Sequence, residues 1–268
     1  MKILILGDVI GITGRKAIEK NLKNIIEDNM IDFTIINGEN SADDGRGITK
    51  SIADNFFSSG VDVITSGNHI WDKKEIVDYI NIENRLLRPS NLADGSPGKG
   101  TGVYLTKDKK FKVGVINLMG NVFMRKTSNV FESASEIKKQ LILKKNVDFL
   151  VVDFHAEITS EKMALAHFFD GHSTCIFGTH THVPTADTRI LEKGTAYQTD
   201  LGMCGDYNSV IGMNKENSLR RFLKDKTATQ HFPSEGDATL SGIIIHADQE
   251  TGLAKNVTRL IKGGSLKN

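Results

Sequence analysis

Two histidines, His180 and His182, stand two residues apart in a chain that has only eight histidines. They end the stretch FGTHTH (177–182), and the apolar residues STCIFG (173–178) before them are typical of a short buried strand. Either this spacing is accidental or both rings face one ligand. In an extended segment alternate side chains point to the same side, so both imidazoles can reach a single centre.

Polar residues also follow four other predicted strands. Asp8 follows KILILG (2–7), Glu39 and Asn40 follow DFTIING (32–38), Asn68 and His69 follow VDVITSG (61–67), and His155 ends VDFLVVDFH (147–155). In an open α/β sheet, ligands bind beyond the carboxyl ends of the strands. Glycines next to several of these residues let the backbone turn sharply and let a ligand approach. We therefore expect one site built from residues that are far apart in sequence.

Each of these residues has a simpler interpretation when it is taken alone. Asp8 could cap the helix that follows it, and Asn40 and Asn68 could be turn residues, because asparagine tolerates the left-handed conformation. A single buried histidine such as His155 is more often structural than a ligand. Their joint placement at strand ends favours a functional site.

The donor groups are carboxylates, amides and imidazoles without a thiolate, a set suited to iron, manganese or zinc. Two such ions can share a carboxylate, clamp a phosphate and activate a water or hydroxide between them. With two divalent ions and the carboxylates of Asp8 and Glu39, the core carries a charge of about +2, which favours a monoanionic diester over a dianionic monoester.

The two cysteines, Cys175 and Cys204, have no CxxC spacing and are predicted to be buried apolar residues.

Strands and helices alternate along the first part of the chain. Helices are predicted at 13–29, 48–60, 72–80, 133–145 and 160–169. Three consecutive strand–helix units predict a parallel sheet with crossover helices. A Gly/Pro-rich loop (83–103) leads into a predicted hairpin, and the last part reads as antiparallel strands around a short helix near 215–224. Nothing marks a second domain, so a single domain over residues 1–268 is expected.

The composition sets broad limits on function. Hydrophobic residues make up 39% and charged residues 25% of the chain, and the net charge is +1, which argues against disorder and against a protein that coats a polyanion. The N-terminal MKILILGDVIG predicts a first strand and not a signal peptide, and no apolar run has the length of a membrane span. We expect a cytoplasmic protein without a membrane partner.

The motifs GD, GEN, GNH, a lone histidine and GTHTH, which lie in this order between residues 7 and 182, resemble those of the calcineurin-like metallophosphoesterases. That family has GD, GD, GNH, H and GHxH motifs on an α/β fold, a four-layer αββα sandwich. This chain departs from the pattern in three ways. No histidine follows two residues after Asp8, Glu39 replaces the bridging aspartate, and Thr179 replaces the first histidine of GHxH.

These departures, together with NGEN, SGNHIWD, RPSN and GTHTHVPTAD, resemble the YmdB-like bacterial phosphodiesterases. The resemblance implies two divalent or mixed-valence metal ions, iron first, with manganese or zinc as alternatives. It implies a first metal held by Asp8, Glu39, Asn40 and His182 and a second held by Glu39, Asn68, His155 and His180. Glu39 then bridges, Asn40 takes the place of the missing histidine, and His69 protonates the leaving oxygen as the catalytic acid.

The predicted function is a two-metal phosphodiesterase that hydrolyses cyclic nucleotides, 2′,3′ or 3′,5′, by attack of a metal-bridging hydroxide. Two alternatives stay open. One is a phosphomonoesterase or nucleotidase, and the other is a regulatory protein that binds a nucleotide or an RNA end with slow turnover. A homo-oligomer is a further expectation.

No substrate-binding residue is assigned by the sequence. The segments 43–47 and 127–129 and Asn91 are expected to shape the pocket. The segment 205–212 is expected to close over either the site or a neighbouring subunit. The remaining histidines are predicted to be structural or on the surface; they are His167, His172, His231 and His246.

Overall fold

The structure is a computed structural model that describes residues 1–266. Two six-stranded sheets pack face to face, and helices cover their outer faces, which confirms the predicted four-layer αββα sandwich. The strands are β1 (Lys2–Val9), β2 (Phe33–Asn37), β3 (Val63–Thr65), β4 (Thr101–Leu105), β5 (Lys112–Met119), β6 (Phe149–His155), β7 (Cys175–Thr179), β8 (Arg189–Ile190), β9 (Ala196–Gln198), β10 (Met203–Asp206), β11 (Ala238–Ala247) and β12 (Ala254–Lys262). The helices are α1 (Gly11–Asn29), α2 (Lys50–Ser58), α3 (Ile76–Ile82), α4 (Val130–Gln140), α5 (Thr159–Phe169) and α6 (Lys215–Phe222).

The first sheet has the order β12-β11-β10-β1-β2-β3. Strands β1, β2 and β3 run parallel, as the three strand–helix units predicted. The sequence analysis missed β10, which pairs in parallel with the end of β1, where Asp8 lies opposite Met203. Residues Lys2–Leu6 of β1 pair instead with β11, so β10 takes over only along the carboxyl end of the strand.

The second sheet has the order β4-β5-β6-β7-β9-β8. Strands β4 and β5 form the predicted hairpin, and β5, β6 and β7 run parallel. The expectation of purely antiparallel strands after the seventh strand was wrong for β9, which pairs in parallel with β7 and antiparallel with β8. Parallel neighbours point their carboxyl ends to the same edge, so β6 and β7 deliver their last residues together.

Three apolar layers hold this arrangement together. Inward-facing residues such as Ile3, Phe33, Val151 and Phe177 fill the layer between the sheets. Helices α1 and α2 pack on the outer face of the first sheet, and α4 and α5 pack on that of the second. Burial on both faces explains why the central strands are continuous apolar runs and not alternating ones.

Most helix boundaries differ from the prediction by one to five residues, and local hydrogen bonds explain the starts of α2 and α3. Helix α2 begins at Lys50, since the side chain of Thr49 accepts a hydrogen bond from the Ile52 N–H at 3.3 Å and caps it. Helix α3 begins only at Ile76, because the chain before it folds into turns, one of them closed by the Asp72 N–H and the His69 carbonyl at 3.0 Å. Within residues 1–266, each helix is too short or too polar to cross a membrane.

Candidate metal centre and active-site cleft

The ring nitrogen Nε2 of His155 is the centre of a cluster of possible metal ligands. It lies 3.0 Å from Glu39 Oε1, 3.0 Å from Asn68 Oδ1 and 3.1 Å from His180 Nδ1. Glu39 and Asn68 follow strands of the first sheet, whereas His155 and His180 come from the second. The structure thus brings together the four residues predicted for the second metal.

The residues predicted for the first metal lie beside this cluster. The Asp8 Oδ2 atom accepts the backbone N–H of His180 at 3.1 Å, and Asp8 Oδ1 lies 4.0 Å from His182 Nε2. The Asn40 side-chain amide donates to the Gly45 carbonyl at 3.0 Å, which leaves Asn40 Oδ1 for another contact. Asp8 is a strand residue, and α1 has no side-chain cap, so the capping interpretation of Asp8 was wrong.

Two buried oxygens in this part of the site have no hydrogen-bond partner within the described residues 1–266, Asp8 Oδ1 and Asn40 Oδ1. Both are acceptors, and a buried acceptor without a donor destabilises the folded state. A bound cation would satisfy an oxygen of this kind, since carboxylate and amide oxygens are metal ligands. The residues present therefore fit the metal that the resemblance implies.

Burial and mutual charge set the protonation of the cluster. Burial raises the pKa of Asp8 well above its ordinary value. Burial also acts to raise the pKa of Glu39, but the adjacent His155 lowers it to about 2. Burial and then His155 lower the pKa of His180 to about 3, and burial lowers the pKa of His182. An ionised Glu39 beside neutral His180 and His182 is the state in which these groups bind cations.

A hydrogen-bond relay sets the orientation of His155. The Thr179 hydroxyl donates to Asp153 Oδ1 at 2.8 Å, so it accepts from His155 Nδ1, 2.9 Å away. With a proton on Nδ1, the Nε2 atom of His155 has a lone pair that faces the oxygens of Glu39 and Asn68. Because all three atoms are acceptors, a cation or a second proton has to lie among them. In the absence of a metal, burial acts to lower the pKa of His155 but Glu39 raises it to about 9, consistent with that second proton.

This relay was not predicted, although the sequence contains a signal for it. Asp153 is an acidic residue inside an otherwise apolar strand, and it lies two residues before His155, so both side chains point to the same side. Asn37 also donates to Asp153 Oδ2 at 3.0 Å. Burial raises the pKa of Asp153 to about 6. Thr179, at the position of the missing family histidine, thus orients the predicted ligand His155.

His180 and His182 lie beyond the end of β7 and both have a left-handed backbone, with φ of 96° and 65°, so the expectation that they belong to an extended segment was wrong. This conformation is costly for a residue with a side chain and persists where surrounding contacts hold it. The His182 Nδ1 atom donates to the carbonyl of Ile211 at 2.9 Å, which leaves Nε2 facing Asp8.

A buried ion pair between Lys162 and Asp200 holds the histidine loop, the segment 179–182 that carries His180 and His182. The Lys162 ammonium, 1% exposed, donates to Asp200 Oδ2 at 2.7 Å and to the Thr179 carbonyl at 2.9 Å. Asp200 Oδ2 also accepts from the Thr181 N–H at 3.2 Å and the Thr181 hydroxyl at 2.7 Å. The pair therefore fixes the backbone on both sides of His180.

Gly67 and His69 complete the site. A Cβ atom on Gly67 would overlap His155 Nε2 and Glu39 Oε2, so only glycine leaves room at the cluster. The His69 N–H donates to Glu39 Oε2 at 3.1 Å, and its Nδ1 lies 2.8 Å from Asp72 Oδ2. His69 is thereby held next to the cluster with its ring in the cleft.

A cleft of about 470 Å³ opens onto these residues. Its lining comprises Glu39, Asn40, Gly45, Arg46, His69, Glu157, His180, Thr181, His182, Val210, Ile211, Met213, Ser218, Phe222 and His231. The segments 43–47 and 205–212 both contribute, the second by closing over the site of its own chain. His231, predicted to be structural or on the surface, lines the cleft. The predicted pocket role of Asn91 was wrong, because Asn91 is buried and donates to the Met119 carbonyl at 2.7 Å inside the protein.

Sequence and structure comparisons place the chain in a family. The family model described as YmdB-like protein matches residues 4–260. The chain belongs to the YmdB-like family. A Bacillus subtilis relative with the name 2′,3′-cyclic-nucleotide 2′-phosphodiesterase is 43% identical over 261 residues, which are 97% of each chain.

Two solved structures of similar proteins share the fold of this YmdB-like chain. A Mycoplasma pneumoniae protein described as a novel phosphatase is 37% identical with a TM-score of 0.90, over 98% of this chain and 93% of that one. A hypothetical protein from Thermus thermophilus is 35% identical with a TM-score of 0.89, over 99% and 100% of the two chains. The resemblance noted in the motifs is therefore confirmed along nearly the whole chain.

Proposed function

We propose that this YmdB-like chain is a metal-dependent phosphodiesterase that hydrolyses cyclic nucleotides, with 2′,3′-cyclic esters as the preferred substrates. The observation that carries the proposal is the convergence of Glu39, Asn68 and His180 on one nitrogen of His155, beside two unpartnered buried oxygens and below an open cleft. The name of the Bacillus subtilis relative supports the enzyme class, a phosphoric diester hydrolase.

The proposed metal ligands form two sets that share Glu39. The first set is Asp8, Glu39, Asn40 and His182, and the second is Glu39, Asn68, His155 and His180. When bound, two such ions polarise phosphoryl oxygens and lower the pKa of water. The donor set favours iron, with manganese or zinc as alternatives.

The protein residues contribute orientation and proton transfer. His69 is the proposed catalytic acid, because its ring lies in the cleft and its backbone N–H holds Glu39 at the cluster. The Asp72 carboxylate, 2.8 Å from His69 Nδ1, accepts a hydrogen bond from that nitrogen and fixes the orientation of the ring. The other ring nitrogen, Nε2, then delivers its proton to the ester oxygen that leaves, which is the 2′ oxygen if the product is a 3′-nucleotide.

Substrate profiling of the metal-loaded protein tests this proposal. Purified protein reloaded with iron or manganese is assayed with 2′,3′-cyclic AMP, 3′,5′-cyclic AMP and p-nitrophenyl phosphate. We expect rapid cleavage of the 2′,3′-cyclic diester and little cleavage of the monoester. No cleavage of any cyclic diester by protein with both ions bound would reject it.

A phosphomonoesterase is the second candidate function, because the similar Mycoplasma pneumoniae structure is described as a phosphatase. Faster turnover of the monoester than of either cyclic diester would favour it. Binding of RNA ends, regulation without turnover, a homo-oligomer and a cytoplasmic location remain predictions.

A further inference from the structure

One wall of the cleft is largely apolar and is built from helix α6 and the segments on either side of it, beside the cluster of possible metal ligands. Ile211, Met213 and Phe222 belong to this wall. Phe222 is 79% exposed and Ile211 is 51% exposed, although both are large apolar residues. Exposed apolar groups collected in one concave place are typical of a ligand-binding surface.

Two residues that line the cleft each have a buried polar atom without a hydrogen-bond partner among residues 1–266, Ser218 Oγ and His231 Nδ1. Ser218 is only 1% exposed, and both residues line the cleft. The proposed metal ligands do not include either residue. Because a buried polar atom is normally hydrogen-bonded, their presence indicates a ligand with polar atoms at this end of the cleft.

The two unpartnered groups lie on segments that are firmly joined. Asn217 donates to the Gln230 carbonyl at 3.0 Å and accepts from the Thr229 N–H at 2.9 Å. Ser218 and His231 are the next residues along each segment. These hydrogen bonds hold the two segments together, and both Ser218 and His231 line the cleft.

We propose that this region is a nucleobase subsite. The base of the substrate lies against Phe222, Ile211 and Met213, and its polar edge makes hydrogen bonds to Ser218 Oγ and to His231. An aromatic ring with hydrogen-bonding atoms on its rim matches an apolar wall with two unpartnered polar groups. The cyclic phosphate then reaches the cluster around His155, so this inference rests on the proposed function.

Two substrates that differ in the base test the subsite. The cyclic diesters 2′,3′-cyclic AMP and glycerol 1,2-cyclic phosphate have the same five-membered ring, but the second has no base. For Phe222→Ala we expect kcat/KM to fall about 10- to 100-fold with cyclic AMP and to stay unchanged with the glycerol ester, because base stacking is lost. Leu219→Ala is the matched control, since Leu219 is 57% exposed on the same helix but does not line the cleft. It should change neither rate.

A binding measurement provides a readout that does not need turnover. Ser218→Ala removes an unpartnered hydroxyl, so the melting temperature should stay equal or rise. Calorimetry should show weaker binding of adenosine 3′-monophosphate, by roughly fivefold or more, and unchanged binding of inorganic phosphate.

The outcomes separate this subsite from the catalytic proposal. Equal losses with both cyclic esters, or no loss with either, would overturn the subsite. A changed molecular mass of Phe222→Ala in solution with unchanged rates would show that the wall contacts a second copy, and would overturn it too. If wild type cleaves neither ester, the catalytic proposal fails, and the binding of adenosine 3′-monophosphate to wild type and Ser218→Ala then decides the subsite alone.

Discussion

The Oε1 atom of Glu39 and the Nε2 atom of His155 lie 3.0 Å apart and are buried, although Glu39 follows a strand of the first sheet and His155 ends a strand of the second. The contact therefore depends on how the two sheets pack. Each residue also changes the charge of the other, because Glu39 raises the pKa of His155 and His155 lowers that of Glu39.

Replacement of Asp8 by asparagine should separate metal binding from folding. Asp8→Asn should lose bound metal, because one of the unpartnered oxygens at the site becomes part of a neutral amide. In chelator-treated protein its melting temperature should equal or exceed that of wild type, since burial already penalises the Asp8 charge. Elemental analysis and calorimetry with EDTA measure both. Asp43→Asn, an exposed carboxylate 2.7 Å from Arg15, is the control and should keep its metal.

The prediction for Asp8→Asn requires that this variant bind less metal than wild type. Asp8→Asn protein that retains both ions at wild-type affinity would remove Asp8 from the ligand set. With metal in excess, wild type should gain stability by mass action, and the variant should gain less.

Removal of the His69 ring should affect turnover and leave metal binding intact. His69→Ala should keep both ions and lose about 10²- to 10⁴-fold in kcat, the contribution typical of a general acid. Steady-state kinetics with 2′,3′-cyclic AMP and elemental analysis check this. His172→Ala, an exposed histidine outside the cleft, is the comparison. Wild-type turnover by His69→Ala would reject the assignment.

Loss of the hydroxyl that links His155 to Asp153 should weaken metal binding. Thr179→Val keeps the shape but cannot accept from His155 Nδ1, so metal affinity should fall about 10- to 100-fold. Thr179→Ser should restore most of it. Titration of apo protein with manganese gives the affinities, and equal affinities of the valine and serine variants would contradict the relay.

The ion pair behind the histidine loop should contribute to stability far more than a surface pair. Lys162→Met leaves Asp200 charged and buried, so the free energy of unfolding should fall by about 3–5 kcal/mol. Lys144→Met, which breaks a partly exposed pair with Asp148, should cost about 0–1 kcal/mol. Urea denaturation of the chelated proteins measures both, and similar small losses would argue against a bracing role for Lys162.

The sequence pattern was sufficient to predict a parallel α/β sheet and a set of candidate site residues at its strand ends, and the family resemblance added the four-layer sandwich. Continuous apolar runs identify strands buried on both faces, and parallel strands place their last residues at one edge, so the pattern alone assigns Asp8, Glu39 and Asn68 to one place. The two-residue spacing of His180 and His182 drew attention to the site, but its explanation by alternation along an extended segment was wrong, because β7 ends at Thr179 and both histidines have positive φ angles. Family motifs then supplied the expected role of each residue.

The atoms that come into contact at the site, and the residues that support them, depend on long-range packing. The Thr179–Asp153 relay and the Lys162–Asp200 pair join segments that are distant in sequence, and no local periodicity encodes such contacts. Strand β10 was missed because its four residues are too short to show a pattern. The position of His231 in the cleft was not predicted either, because it depends on how the chain around α6 folds back over the sheet ends. Side-chain direction at a strand end is local, whereas the wall opposite it depends on long-range packing.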